Sequence, residues 1–446
     1  MEGSNVQKNQ SAIMFLLALT VAIVAFAGGA LSGFKLGRGA LVDVTARVAQ
    51  MTSGALGTPA KDLDIPPVTN LNALAVIWEV RDKILNGFVH SLNAEKEKEL
   101  TYGAIRGMLA SLDDPFSRFL DPNEYRDFQT DTSGHFDGIG AVLEARTDAK
   151  TGVQEVVISS VLPEGPASKT ALRPADIIVR VDKTPTSGLT ITEVVNLIRG
   201  PRGTEVLLTV KREGSEKPLE IKVVRANIEV KVVEFEMKDE AHKIGYIWLR
   251  QFNQNAPREM RAALDKLTDQ GMKGLVLDLS MDPGGILDVA VDVASNFIAE
   301  GPVVWIKNRE GDPRPLNAIR GRAIDSNIPM VVLIDGGSAS ASEILAGALQ
   351  DIGRATICGQ HSFGKAKVQT IMELQDDSAL FLTTALYLTP KKRDIGEKDA
   401  EGNPGVKPDR AFPEPDPNDT ELKFKDWHEQ QVGLALGVLK EKMGIK

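Results

Sequence analysis

The chain has 446 residues, room for two or three folded units, and its 42% apolar and 25% charged residues exclude a disordered or collagen-like polypeptide. The formal charge of −9 comes from interspersed acids and bases with no long basic run, which removes nucleic acid as a partner. One cysteine, Cys358, and five histidines without metal-ligand spacing exclude an intrachain disulfide and leave no metal motif, and no bound cofactor is expected.

In chain order, residues 1–34 come first. No charge occurs from Asn9 to Phe34, and the apolar run Ala12 to Ala27, extended through Leu31, is long enough to cross a bilayer, which needs about 20 residues. The expectation is an uncleaved anchor with the body on the extracytoplasmic side, in a periplasm, cell envelope or lumen. The alternative is an exported chain whose signal peptide is cut after Ala25-Phe26-Ala27. Residues 35–68, with Pro66-Pro67, read as a tether.

Residues 69–133 read as an N-terminal helical region. Leu74, Val76, Ile77, Val80, Ile84, Leu85 and Val89 recur at helical spacing, and Leu100 to Leu112 gives a second helix that stops before Asp114-Pro115. Residues 134–228 change character to short β-branched runs at Glu155–Ile158, Asp176–Val181, Glu205–Val210 and Leu219–Val224, interrupted by one helix, Ile191–Ile198. Gly138-Ile139-Gly140-Ala141 before Val142-Leu143 is either a loop that captures a peptide's terminal carboxylate or a tight turn between strands.

In the unit at 229–411 strands alternate with helices from Lys243 onward, which predicts an α/β unit with a largely buried sheet and ligands beyond the carboxyl ends of its strands. Two loops qualify, Ser280-Met-Asp-Pro-Gly-Gly285 and Gly336-Gly-Ser-Ala-Ser-Ala341. In the second, Ser340 sits at a strand-to-helix turn beside free backbone N–H groups, which suits a nucleophile with an oxyanion hole. Ser340-x-x-Glu343 is equally a capping box that starts a helix. No nearby pattern nominates a histidine base, although a Ser-His-Asp triad built from distant residues stays open, with His361 the closest in sequence. A lysine serves if burial or a positive neighbour lowers its pKa. Lys365, Lys367 and Gln369 share a face by period two in a strand-like segment, and a solvated charged strand edge explains them as well. Residues 412–446 form an extension whose segment from Glu421 reads as helical.

The dispersed blocks Tyr102-Gly-Ala-Ile-Arg-Gly-Met-Leu-Ala-Ser-Leu-Asp-Asp-Pro115, Pro163-Glu-Gly-Pro-Ala167, Leu197-Ile-Arg-Gly-Pro-Arg-Gly203, Pro283-Gly-Gly285, Ser338-Ala-Ser-Ala-Ser-Glu-Ile344 and Phe363-Gly-Lys365 resemble carboxyl-terminal processing proteases. These are PDZ-containing Ser-Lys peptidases. The resemblance implies a multidomain α/β (α+β) fold: a crotonase-like or ClpP-like β-rich core over 229–411 with a PDZ domain inserted at 134–228. It implies Ser340 as nucleophile, Lys365 as general base, Gln369 orienting the lysine, the N–H groups of Gly285 and Ala341 as oxyanion hole, and Gly138, Ile139, Gly140 and Ala141 as the peptide-binding loop. The implied activity is endopeptidase cleavage of proteins recognised by an apolar C-terminal tail, in a chain able to form a homo-oligomer. Arg199 is a candidate link between the PDZ domain and the active site.

Three positions depart from the family pattern. Ala366-Lys367 replaces the usual glycine and small residue after the lysine, so Lys367 either depresses the pKa of Lys365 or points into solvent. Ser280-Met-Asp lacks the Arg-Asn-Asn that commonly precedes Pro-Gly-Gly, and Ala175 stands where a glycine is typical. Two rival readings are a catalytically dead PDZ scaffold, disfavoured by the intact serine, lysine and glutamine, and a crotonase-like acyl-CoA enzyme, disfavoured by the inserted module and the exported body.

Overall fold

The computed structural model describes residues 71–147, 153–414 and 424–445. The apolar segment Ala12–Ala27 and the whole tether, 35–68, lie outside them, and among the described residues no helix is long and apolar enough to cross a membrane. Two compact units are described, a helical pair that ends at Asp113 and a body that begins at Asp114.

The helical pair consists of Leu71–Gly87 and Ala94–Ala110. Asn93 caps the second helix by accepting from the Lys96 N–H at 2.9 Å, which satisfies one of the orphan donors of its first turn. Trp78, Phe88 and Val89 are exposed on this unit.

Within the body, the β-rich module is a five-strand antiparallel path, Ala141–Thr147, Gln154–Val161, Ile177–Val181, Glu205–Lys211 and Leu219–Val224, with the short strand Thr184–Pro185 beside the third. Alternation sets its core: Val206, Leu208 and Val210 point inward with Ile158, Ile178 and Val223, and the helix Ile191–Ile198 closes them with Val194 and Ile198. His135–Gly138 and Ala226–Glu229 pair antiparallel, so the chain enters and leaves the module side by side, as an insertion requires. Ala175 does take the left-handed conformation that favours glycine, with φ 69°. Next to it, the wholly buried Asp176 pairs with Arg212 Nε at 2.6 Å and Nη2 at 2.7 Å, which fixes the turn without a glycine.

The catalytic-type core holds two sheets. The first runs Val233–Asp239, Ile244–Leu249, Gly274–Asp278, Met330–Ile334, Thr356–Gly359 and Arg410–Ala411, antiparallel at the first pair and parallel thereafter. Both faces are covered, so its central strands are mainly apolar, with Asp278 buried at the end of one. Leu275 and Leu277 face the helices Ala256–Asp269, Leu287–Ala294 and Ala341–Asp351, while Val276 faces the C-terminal helix Phe424–Lys442 with Val432, Ala435 and Leu439.

The second sheet departs from the simple alternation read in the sequence. Pro302–Asn308 does not join the parallel sheet; it pairs antiparallel with Arg314–Asn317 and Ala379–Leu388. Arg118–Leu120 and Lys367–Glu373 add to Ala379–Leu388. The loop after Ile334 and the segment leading into Lys367 therefore belong to different sheets.

Candidate active site

Three serines, Ser338 and Ser340 in the turn after Met330–Ile334 and Ser342 in the first turn of the helix Ala341–Asp351, are separated by what their hydroxyls do. Ser338 Oγ donates to Leu279 O at 2.8 Å and Ser342 Oγ to Asp282 O at 2.9 Å, both fully buried in loop support. Ser340 is half-buried, with φ 57° and ψ −112°, a conformation that costs of order 1–3 kcal/mol and persists only where the surroundings impose it. Ser340 and Glu343 stand in capping-box register, but the hydrogen bond that forms is Ser340 N–H to Glu343 Oε2 at 2.8 Å; the hydroxyl makes no capping bond. The cap and the free hydroxyl thus coexist.

Glu343 is the node of the site. Wholly buried, its Oε1 accepts from Ser362 Oγ at 2.6 Å and Gly364 N–H at 2.5 Å, and its Oε2 from Lys365 N–H at 3.0 Å and Tyr387 Oη at 3.0 Å in addition to Ser340. A charge taken out of water needs such a full donor shell. One carboxylate therefore fixes the backbones of Ser340 and Lys365 relative to each other across the two sheets. The sequence signalled Glu343 only as a cap.

Lys365 lies largely buried with its Nζ 5.3 Å from the centre of the Phe116 ring. Burial first, and then the Arg118 guanidinium, lower its pKa to about 8 against the opposing pull of Glu343 and Asp114. Lys367 is not the depressing charge. Its Nζ pairs with Asp114 Oδ1 at 2.8 Å, so its charge is matched locally. Burial disfavours ionisation of Asp114, yet hydrogen bonds from Lys367 and Ser117 hold its carboxyl below the usual range. A Lys367→Ala variant is expected to leave the midpoint of the pH–rate profile within about 0.3 units, because its partner, not Lys365, senses the change; a larger displacement measured in that profile would restore Lys367 as a tuning charge.

The shared strand face expected for Lys365, Lys367 and Gln369 is broken. Ala366 has φ 46° and a bulge falls between Val368 and Gln369, so period two does not run through the segment. Gln369 Nε2 donates to Thr383 Oγ1 at 3.4 Å. Among the described residues no hydrogen bond joins Lys365 Nζ to Ser340 Oγ or to Gln369. His361 lies 3.6 Å from Asp399 and bonds no serine, which leaves a histidine triad without its geometry.

The glycine loop closes on the serine. A Cβ on Gly284, at φ 92°, would stand 2.7 Å from Ala341 N and 2.8 Å from Ser340 Cβ, so only glycine permits this approach. Gly284 N–H is taken by Asp282 Oδ1 at 2.8 Å. Among the described residues neither the Gly285 nor the Ala341 N–H donates to a protein acceptor, which leaves two donors beside Ser340. Asp282, with Met281 and Ser280, replaces the family's Arg-Asn-Asn; complete burial pushes its carboxyl well above the ordinary range.

In the β-rich module, Ala141–Thr147 is an edge strand. Ile139 O accepts from Ala167 N–H at 2.8 Å and Gly140 O from Leu162 N–H at 2.9 Å, and Gly140, at φ 71°, packs on Gly165, so the Gly138–Ala141 segment is held beside that open edge. Arg199, at the end of the helix Ile191–Ile198, is buried with its Nη1 3.9 Å from Asp127 Oδ1 and its guanidinium 5.9 Å from the Phe136 ring. Burial pushes Asp127 up to about 6 and Asp131 to about 7, and lowers Arg199 to about 9.

Residues 243–412 match peptidase family S41, residues 130–211 the PDZ domain, and residues 57–124 the N-terminal domain of the activating protease CtpB. The carboxyl-terminal-processing protease of Synechocystis is 38% identical over 76% of this chain and 75% of its own length. The carboxy-terminal-processing protease of Bartonella bacilliformis is 41% identical over 67% and 68% respectively. A solved photosystem II D1 C-terminal processing protease is 34% identical, covering 75% of this chain and 86% of its own, with a TM-score of 0.43. The chain belongs to the carboxyl-terminal processing proteases of peptidase family S41, serine-type peptidases that carry a PDZ domain.

Proposed function

We propose that the chain is a tail-specific endopeptidase in which neutral Lys365 takes the proton of Ser340 as that hydroxyl attacks a peptide carbonyl. The N–H groups of Gly285 and Ala341 receive the oxyanion, the leaving amine takes the proton from Lys365, and water releases the acyl-enzyme by the same route in reverse. Gln369 orients the lysine in the substrate-bound state, since catalytic hydrogen bonds commonly tighten only there. The observation that carries the reading is the Glu343 carboxylate, which binds the Ser340 and Lys365 backbones together around a lysine lowered to about 8.

Substrate selection falls to the module over 134–228. An apolar C-terminal tail adds as a strand to the edge Ala141–Thr147 with its carboxylate at Gly138, Ile139, Gly140 and Ala141. The division into 1–34, 35–68, 69–133, 134–228, 229–411 and 412–446 belongs to the same reading. So does an N-terminal anchor that places the body outside the cytoplasm, or a cleaved signal peptide that exports it. Exposed Trp78, Phe88 and Val89 on the helical unit support a homo-oligomer.

An unfolded protein ending in an apolar tail, compared with the same protein ending in a diacidic tail, tests the recognition step. The apolar tail is expected to lower KM at least about tenfold, equivalent to about 1.4 kcal/mol. Equal KM values for the two would remove the tail from the mechanism.

A further inference from the structure

The loop that supplies Gly284 and Gly285 is held in part from outside the S41-matched residues. It begins after Gly274–Asp278, and Asp278 is fully buried at the end of that strand. Asp278 Oδ1 accepts from Ser280 N–H at 2.8 Å, while Oδ2 accepts from Tyr246 Oη at 2.7 Å and meets His428 Nε2 at 2.7 Å. His428 comes from the C-terminal helix Phe424–Lys442, beyond residue 412. Its ring stacks on Trp248 with centroids 4.2 Å apart and on Phe424 at 5.7 Å. Trp248 Nε1 in turn donates to Ser280 O at 3.2 Å. Both polar groups of the Ser280 backbone are therefore bonded to residues that His428 touches.

The need for this support follows from the loop's own composition. Ser280-Met-Asp-Pro-Gly-Gly285 contains no cation, and a fully buried aspartate requires donors from elsewhere. Against a carboxylate, Nε2 acts as the donor. Further along, Met281 N–H bonds Asp335 Oδ1 at 2.9 Å, and Asp282 O accepts from Ala339 N–H at 3.0 Å. These contacts fix the loop's middle on the serine turn, whereas its start depends on Asp278 and Trp248.

We propose that His428 is a positioning residue: through Asp278 and Trp248 it sets the start of the Ser280–Gly285 loop, and so makes the C-terminal helix part of the support for the oxyanion donors. The proposal rests on the assignment of Gly285 as a donor made above.

Two polar replacements separate donor position from packing. In His428→Gln the amide nitrogen falls near the place of Nε2; in His428→Asn it falls near Nδ1 and does not reach Asp278. With the full chain and the apolar-tailed substrate, His428→Asn is expected to lower kcat about 10–100-fold with KM within about twofold, the cost of misplacing a catalytic donor, while His428→Gln stays within about threefold of wild type. Hydrogen exchange of a peptide spanning 279–287 is expected to quicken in the Asn variant only, with the 365–373 segment unchanged.

Equal loss in both variants, a loss of activity that tracks a fall in Tm, or wild-type kcat and exchange in His428→Asn would each overturn the proposal. A wild-type chain that cleaves nothing would sink the functional reading instead, and the exchange comparison would still decide the role of His428.

Discussion

Ser340→Ala and Lys365→Ala are each expected to reduce kcat by about 10⁴-fold or more with the fold intact, since nucleophile and base act as one unit and removing either removes both. The pH dependence carries the sharper test. Lys365 is competent as a base only when neutral, and burial together with Arg118 lowers it to about 8, so kcat/KM in wild type should rise with pH through a limb centred near 8. A limb near 10.5, the lysine's ordinary value, would remove Lys365 as the buried base.

The same lowering has a consequence for stability, with a definite sign. Between about 8 and 10.5 the unfolded chain binds more protons at this residue than the native chain, so native stability rises with pH across that window. Below it the full cost of burying the charged lysine is present. Lys365→Met is therefore expected to stabilise the protein at pH 7 by about 3 kcal/mol while abolishing cleavage. Urea denaturation at pH 7 and pH 10 measures both the gain and its disappearance.

Glu343→Ala should be the most damaging single change at a residue that never meets substrate. It strips five donors, Ser340 N–H, Ser362 Oγ, Gly364 N–H, Lys365 N–H and Tyr387 Oη, of their acceptor in a buried site. Breaking such a network costs about 3–5 kcal/mol, and the freed Ser340 and Lys365 segments lose their relative position, with kcat expected to fall at least about 10²-fold. Glu343→Gln keeps the volume and one acceptor oxygen but turns an NH2 group toward donors, so it should fall between Ala and wild type in both Tm and kcat. A Glu343→Ala protein with wild-type Tm and kcat would refute the assignment of Glu343 as the node.

Much of the molecule was legible along the chain because the relevant signals are local. Period-two alternation marks Val206, Leu208 and Val210, and the apolar runs Gly274–Asp278 and Met330–Ile334 mark strands buried on both faces. A strand followed by Gly-Gly-Ser-Ala-Ser marks the turn that carries Ser340. The antiparallel sheet is not legible along the chain because pairing partners such as Arg118 and Phe381 lie far apart in sequence, and register between distant segments leaves no periodic trace. Gln369 was placed on the face of Lys365 by a regular period that the bulge after Val368 interrupts.

What the sequence by itself determined is the inventory: an α/β body with an inserted β-rich module, a serine at a strand-to-helix turn, a Gly-Gly loop and a lysine downstream, each set by residues a few positions apart. Only the tertiary structure decided how those groups are poised. The lysine's lowered pKa depends on burial and on Arg118, which lies about 250 residues upstream, the matching of Lys367 on Asp114, and the loop's support on Tyr246 and His428. Desolvation and Coulomb terms act through space and reach full strength only when folding removes water, so no local pattern encodes them.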